Sequence, residues 1–437
     1  MLNELKEHIN DNLSFLKGGK LLVAVSGGID SVVLAHLSQI LGLNFALAHC
    51  NFNLRGEESD ADEEFVLQLA EDLELEVFIE NFDTLKYAAD NKCSIQMAAR
   101  ELRYNWFEEL ANQLNYDFIL TAHHADDNLE TFLINFTRGT GLEGLTGIPE
   151  VNAKFVRPLL PFSSNDIQEY AKENKIKWRD DSSNKSTKYV RNKLRHEVIP
   201  ILKEINPSLL QSFQSTLNNL NDTSIIVNES IDGFLNKAID YIDENNVTFN
   251  IDAFKKLNNP KPYLYESLKE FGFTQWDDIL NLLDAETSKQ VFSSTYRLIK
   301  NREHLLLSKI SVDDFENISI SENDKTIETP IGSLFFDEAD AIFGTRTNVI
   351  FVDKDVVKYP LKIRKWREGD VFYPLGMTGK KKISKFFKDE KLSLLDKENT
   401  LLLCSAEDII WVINRRADNR FRVTENTKHI LKVELKA

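Results

Sequence analysis

The hexapeptide Ser26-Gly27-Gly28-Ile29-Asp30-Ser31 combines residue types and spacing that suit phosphate chemistry. Glycines let backbone N–H groups approach a ligand with no Cβ in the way, and a helix N-terminus supplies oriented donors and partial positive charge. Ser26 and Ser31 add hydroxyls. A carboxylate has no place against a bare polyanion, so Asp30 reads as a ligand for a Mg²⁺ ion lying between it and phosphate. The pattern is neither the G-x-x-x-x-G-K-[ST] loop nor the G-x-G-x-x-G fingerprint, which sets it apart from both of those nucleotide-binding classes.

A second group lies downstream. His123 ends the apolar run Asp117–His123, and Asp127 and Glu130 follow three residues apart, a spacing that puts them on one helix face. At the carboxyl end of a parallel strand, His123 could pack on a nucleobase, bond a phosphate or be an ordinary core histidine, and so could His124. The two carboxylates could hold the ammonium groups of an amino acid, one of them helping to deprotonate the attacking amine, or could simply complement a helix dipole. Arg100 and Arg103 stand one helical turn apart, and Arg138 precedes a Gly-Thr-Gly turn. Arg191, Lys193 and Arg195 form a basic cluster that suits either RNA or a solvated helix face.

Positioning these groups takes strands that alternate with helices. Leu21–Ser26, Asn44–Cys50, Leu75–Glu80 and Asp117–His123 read as strands, with helices over Ser31–Leu41 and from a Ser94 cap to about Asn115. Such alternation implies a parallel sheet covered on both faces. Residues from about 195 to 310 read as mostly helical, and short β-like segments follow from 311 onward. The expected division is a catalytic domain over 1–205, a small helical domain over 206–312 and a mixed α+β domain over 313–437.

Composition narrows the chemistry. Cys50, Cys93 and Cys404 are far apart and form no C-x-x-C pair, which argues against a zinc site, an iron–sulfur cluster or a disulfide framework. The net charge of −16 conceals a basic stretch, Lys362–Lys391, with ten Lys or Arg against four Asp or Glu. Lys380, Lys381 and Lys382 lie within it and make a local basic face against the acidic total, while Phe386 and Phe387 read as core. No apolar run is long enough for a membrane span, so a cytoplasmic location without membrane contact is expected.

The hexapeptide resembles the loop of the N-type ATP pyrophosphatases (the PP-loop superfamily), which implies a Rossmann-like sheet and cleavage of ATP to AMP and pyrophosphate. Further stretches narrow the resemblance: His49-Cys50-Asn51-Phe52-Asn53-Leu54-Arg55-Gly56, Ala99–Tyr104, Thr121–Thr131 with Arg138–Leu142, Asp180–Asn184 with Tyr189–His196, Arg367–Asp370 and Leu375–Lys382. Together they resemble the tRNA(Ile)-lysidine synthetase family, a group of carbon–nitrogen ligases. The resemblance implies that ATP adenylates the wobble cytidine of a tRNA(Ile) with a CAU anticodon. The side-chain amine of free L-lysine then attacks the ring carbon and expels AMP. It also implies ATP contacts at Ser26 to Ser31, His49, Asn51, Arg103 and His123, with lysine recognition at Asp127 and Glu130. Catalysis would rest on Asp30, Arg103, His123 and Asp127, and tRNA contacts on Arg138, Arg191, Lys193, Arg195 and Lys380 to Lys382. A homodimer is left open. The competing reading, a tRNA thiolase of the same superfamily, requires a reactive cysteine, which three scattered thiols do not suggest.

Overall fold

The structure is a computed structural model that describes residues 1–179, 190–310, 315–342, 344 and 346–436. The Asp180–Asn184 stretch and Tyr189 lie outside the described residues. The chain divides into two compact units, Met1–Glu229 and Ser230–Ala437.

The first unit begins with α1 (Leu2–Asn12), then alternates β1 (Lys20–Ala24), α2 (Ile29–Ile40), β2 (Asn44–Asn51), α3 (Glu57–Asp72) and β3 (Val77–Asn81). After α4 (Thr84–Asp90) come α5 (Ile95–Gln113), β4 (Phe118–Leu120), α6 (Ala125–Arg138), α7 (Leu142–Leu145), the short pair β5 (Val151–Asn152) and β6 (Phe155–Val156), and α8 (Ser164–Glu173). Ser94 caps α5 as expected, its hydroxyl accepting from Met97 N–H at 3.2 Å.

The sheet order is β3-β2-β1-β4-β6-β5, parallel except for the β5–β6 edge hairpin. Alternating residues of β1 explain why both faces are buried. Leu21 and Val23 enter the core with α2 and α8, whereas Leu22 joins Phe107 and Ala111 of α5 on the opposite face. The chain leaves β1 toward β2 and β3, then returns to the other side of β1 to lay down β4. The switch point, where such sheets bind ligands, therefore falls between the carboxyl ends of β1 and β4. Beyond the sheet, α9 (Val190–Lys193), a π-helical turn (Leu194–Val198) and α10 (Ile199–Ile205) lead into the 30-residue α11 (Leu209–Ala238), in which the boundary between the units falls.

The helical expectation holds through α11, but the segment that follows carries a five-stranded antiparallel sheet. Its strands are β7 (Ile239–Ile242), β8 (Asn246–Asn250), β9 (Gln290–Phe292), β10 (Tyr296–Asn301) and β11 (His304–Lys309), in the order β7-β8-β11-β10-β9. The β10–β11 hairpin turns at Arg302 and Glu303, with Arg302 at φ 53° in place of the Asn or Gly that marks such turns in sequence. Of the remaining strands among the described residues, nine form two antiparallel sheets around Leu403, Trp411, Leu431 and Val433, and the short pair Val371–Phe372 and Lys381–Lys382 forms a third, two-stranded one. Among the described residues, no helix is long and apolar enough to cross a membrane.

Candidate active site

The phosphate loop connects β1 to α2. Gly27 takes φ +87°, and Gly28 is the N-cap of α2. Ser31 Oγ accepts from Ser26 N–H at 3.1 Å and donates to Gly28 O at 2.9 Å, so its hydroxyl shapes the loop from within. Asp30, in the first turn of α2, has a buried Oδ1 without a partner among the described residues, and burial raises its pKa. A buried carboxylate oxygen of this kind suits a cation or a ligand donor. Among the described residues, no three His, Cys, Asp or Glu side chains form a metal cage. One carboxylate beside phosphates fits Mg²⁺, which takes few protein ligands and completes its shell with phosphate oxygens and water.

A crevice of about 470 Å³ opens at the switch point. The phosphate loop lies on its wall, as do Thr121 to His123 after β4, Arg100 and Arg103 of α5, and Asp127 of α6. Among the described residues, six arginines line it (Arg55, Arg100, Arg103, Arg179, Arg191 and Arg195) against three carboxylates, Asp30, Asp62 and Asp127. That imbalance suits a polyphosphate. Burial lowers the pKa of Arg103, and among the described residues no carboxylate lies within ion-pair distance of it. A buried cation left in that state favours an incoming anion.

His123 stands beside Thr121, with Nδ1 and Oγ1 3.0 Å apart, and burial pushes its pKa down to about 4. The ring is therefore neutral near pH 7 and offers a hydrogen bond or an aromatic face rather than a positive charge. His124, 4% exposed, lies between the two acidic groups: Nε2 is 3.4 Å from Asp127 Oδ2 and 3.7 Å from Asp30 Oδ2. Of the two histidines, the one expected at the site, His123, lines the crevice, and His124 lies between the carboxylates.

Residues 1–202 match the family model of the PP-loop domain, 242–310 that of the TilS substrate binding domain and 361–435 that of the TilS substrate C-terminal domain. The chain is 38% identical over 437 residues to a tRNA(Ile)-lysidine synthase of Parabacteroides distasonis, covering 99% of each chain. It is 41% identical over 429 residues to one of Bacteroides thetaiotaomicron, covering 98% of this chain and 96% of the relative. The chain belongs to the tRNA(Ile)-lysidine synthase family. It is accordingly an ATP-using ligase that forms a carbon–nitrogen bond and modifies tRNA. The thiolase alternative is the weaker one: burial pushes the Cys50 thiol up to about 12 and that of Cys404 to about 11, the reverse of an activated thiolate.

Within this lysidine synthase fold several expected contacts change place. Glu130 is fully buried, and Arg195 holds it through Nε at 2.5 Å and Nη2 at 2.9 Å, with Arg191 Nε at 3.4 Å. Glu130 is not among the described residues that line the crevice, whereas Asp127 is. Arg195 Nη2 also donates to Asp127 Oδ1 at 3.1 Å, and Arg191 Nη2 to Thr131 Oγ1 at 2.7 Å. Arg191 and Arg195 thus pair with α6 while 42% and 34% of their side chains stay exposed, and Lys193, at 65%, is the most exposed of the cluster.

His49 and Asn51 also lie behind the crevice wall. His49 donates Nδ1–H to Val25 O at 2.8 Å, and Asn51 donates Nδ2–H to Glu63 Oε2 at 2.8 Å while its Oδ1 caps Asn53 N–H. They brace the turn that carries Arg55. Arg138 is exposed at the far end of α6, roughly 16 Å from Asp127 at the helical rise. In the second unit Lys380 and Lys382 are exposed, whereas Lys381 pairs with Asp389 at 2.8 Å. Phe386 and Phe387 are core, as expected. Sequence reading missed Asp62 and Arg179, which meet across 117 residues and carry no local motif.

Proposed function

We propose that the chain joins the side-chain amine of free L-lysine to the ring carbon of the wobble cytidine of a CAU-anticodon tRNA(Ile), by way of an adenylated cytidine. One observation carries this reading: the crevice at the switch point brings the phosphate loop, the buried Asp30 oxygen, the arginine wall and the carboxylate of Asp127 together. The α2 N-terminus and the Ser26–Ser31 loop hold the triphosphate, and Arg103 opposes its charge. Asp30 is the protein ligand for Mg²⁺, which neutralises phosphate charge when bound. The ring carbonyl oxygen of cytidine then bonds to the α-phosphorus as pyrophosphate leaves. Neutral His123 orients the base or the nucleotide by its ring and a hydrogen bond.

Lysine recognition falls chiefly to Asp127, which faces the crevice and accepts the ammonium group. Glu130 acts one step behind it by holding Arg195. Arg138, Lys193, Lys380 and Lys382 contact tRNA phosphates, and Lys381 contributes less because Asp389 already pairs with it. Residues 1–205, 206–312 and 313–437 serve as catalytic, tRNA-contacting and tRNA-binding domains. The reaction runs in the cytoplasm, where its three substrates meet. The described residues that line the crevice all belong to the first unit of one chain.

The test is incubation with ATP, labelled lysine and CAU-anticodon tRNA(Ile). Label is expected in the tRNA in step with pyrophosphate release. Release that depends on sulfide, or proceeds without uptake of lysine, would refute the reading.

A further inference from the structure

Asp127 faces the crevice with both carboxylate oxygens engaged. Oδ2 accepts from His124 N–H at 3.2 Å and closes the N-terminus of α6, with His124 Nε2 3.4 Å away. Oδ1 accepts from Arg195 Nη2 at 3.1 Å. The first bond holds a helix end, and losing it would leave an N–H donor of that end unpaired. An incoming ammonium group therefore meets Asp127 at Oδ1, where a cation already sits.

The same guanidinium is anchored elsewhere. Its Nε donates to Glu130 Oε1 at 2.5 Å and its Nη2 to Oε2 at 2.9 Å, a bidentate pair on a carboxylate whose side chain is 1% exposed. Letting go of Glu130 would leave that buried charge with Arg191 alone, at 3.4 Å. Letting go of Asp127, whose side chain is 15% exposed, gives up one longer bond and leaves the bidentate pair intact. Two cations drawn to one carboxylate oxygen repel each other at close range, so sharing Oδ1 is the costlier arrangement.

We infer that Arg195 is a stand-in for the lysine ammonium group: it neutralises Asp127 until lysine arrives, and lysine binds by displacing it from Oδ1 while it stays on Glu130. This rests on lysine being the amine substrate, as proposed above. The exchange makes and breaks no covalent bond. It makes Arg195 a residue that sets both the affinity and the selectivity for the amine. A cationic side chain replaces the charge that leaves Asp127, whereas an uncharged analogue of similar length would leave the carboxylate without its cation.

The test is calorimetric binding of L-lysine and, separately, of L-norleucine, which lacks the ammonium group, to the full-length protein. Wild type is compared with Arg195→Lys and with the paired variant Arg195→Gln, Glu130→Gln. The first keeps a charge for Glu130 but has no fork to span both carboxylates. The second leaves no buried charge without a partner, so it serves where the first does not fold. Each folded variant is expected to bind L-lysine about 3- to 10-fold more tightly than the wild type, the worth of one partly exposed charged hydrogen bond, with L-norleucine affinity unchanged within about twofold. A merely structural role for Arg195 would weaken lysine binding instead, so the direction of the change decides. Weaker or unchanged lysine binding, or an equal gain for L-norleucine, would overturn the displacement. Lysine incorporation into tRNA by the wild type is measured alongside. Tighter binding in the variants with no incorporation by the wild type would refute the substrate reading and leave the displacement standing, and incorporation with weakened binding would do the reverse.

Discussion

Basic side chains work differently in the crevice of the first unit and in the Lys380–Lys388 run of the second. In the first, arginines are held by buried or half-buried carboxylates: Arg195 by buried Glu130 and half-buried Asp127, and Arg55 and Arg179 by buried Asp62. In the second, Lys380, Lys382, Lys385 and Lys388 stand exposed, and Lys381 is the member of the run with a recorded ion pair. A planar guanidinium fixed at both ends presents donors in one direction, which is what a reacting phosphate requires. A solvated ammonium on a flexible stem supplies charge without fixing register, which suits a long RNA backbone. Substitutions of the crevice arginines should therefore change chemistry or folding, and those of the lysine run should change affinity and its salt dependence.

The largest effect is expected at Asp30. Asp30→Ala should lower pyrophosphate release on the order of 100-fold or more while the fold survives, because a partly exposed side chain is lost. Near-normal turnover at ordinary Mg²⁺ would remove Asp30 from the mechanism.

Arg195→Ala strips Glu130, 1% exposed at its side chain, of its bidentate partner. Breaking such a pair costs roughly 3–5 kcal/mol, and the lower end is expected because Arg191 stays 3.4 Å from Glu130. Urea unfolding of the variant measures it. A loss below about 1 kcal/mol, the range of surface pairs, would mean that the cluster is solvated after all.

The third prediction concerns pH. His123 has a folded-state pKa of about 4, below the ordinary 6.5. Between those values the unfolded chain binds the extra proton, so stability rises with pH and is lost as pH falls from about 6.5 toward 4. That single group accounts for roughly 3 kcal/mol across the window. Unfolding curves from pH 4 to 7 should show a shallower decline in His123→Asn than in the wild type, and parallel curves would contradict the burial.

Asp127→Asn should raise the lysine concentration needed for half-maximal rate about 10-fold, with adenylated tRNA accumulating. If adenylation fails first, Asp127 serves ATP instead.

The smallest effects belong to the lysine run. Lys380→Ala and Lys382→Ala should each weaken tRNA binding and flatten its dependence on the logarithm of salt by roughly 0.7–0.9, with Lys381→Ala giving less. Filter binding across a salt series separates these outcomes, and three equal slopes would erase the distinction drawn from Asp389.

Sequence by itself determined the features whose physics is local. A glycine turn between an apolar strand and a helix specifies the phosphate loop, because N–H donors and φ freedom are properties of six consecutive residues. The parallel sheet was legible from strand–helix alternation and the Ser94 cap from its hydroxyl. Tertiary structure decided the rest, wherever partners come from distant segments. Arg195 reads as a surface cation until Glu130, 65 residues away, is seen beneath it. Asp62 and Arg179 carry no mutual signal across 117 residues. The β10–β11 hairpin escaped because its positive-φ turn residue is an arginine. In each case the deciding quantity was where a charge or a backbone bond finds its partner, and that is fixed only once the chain has packed.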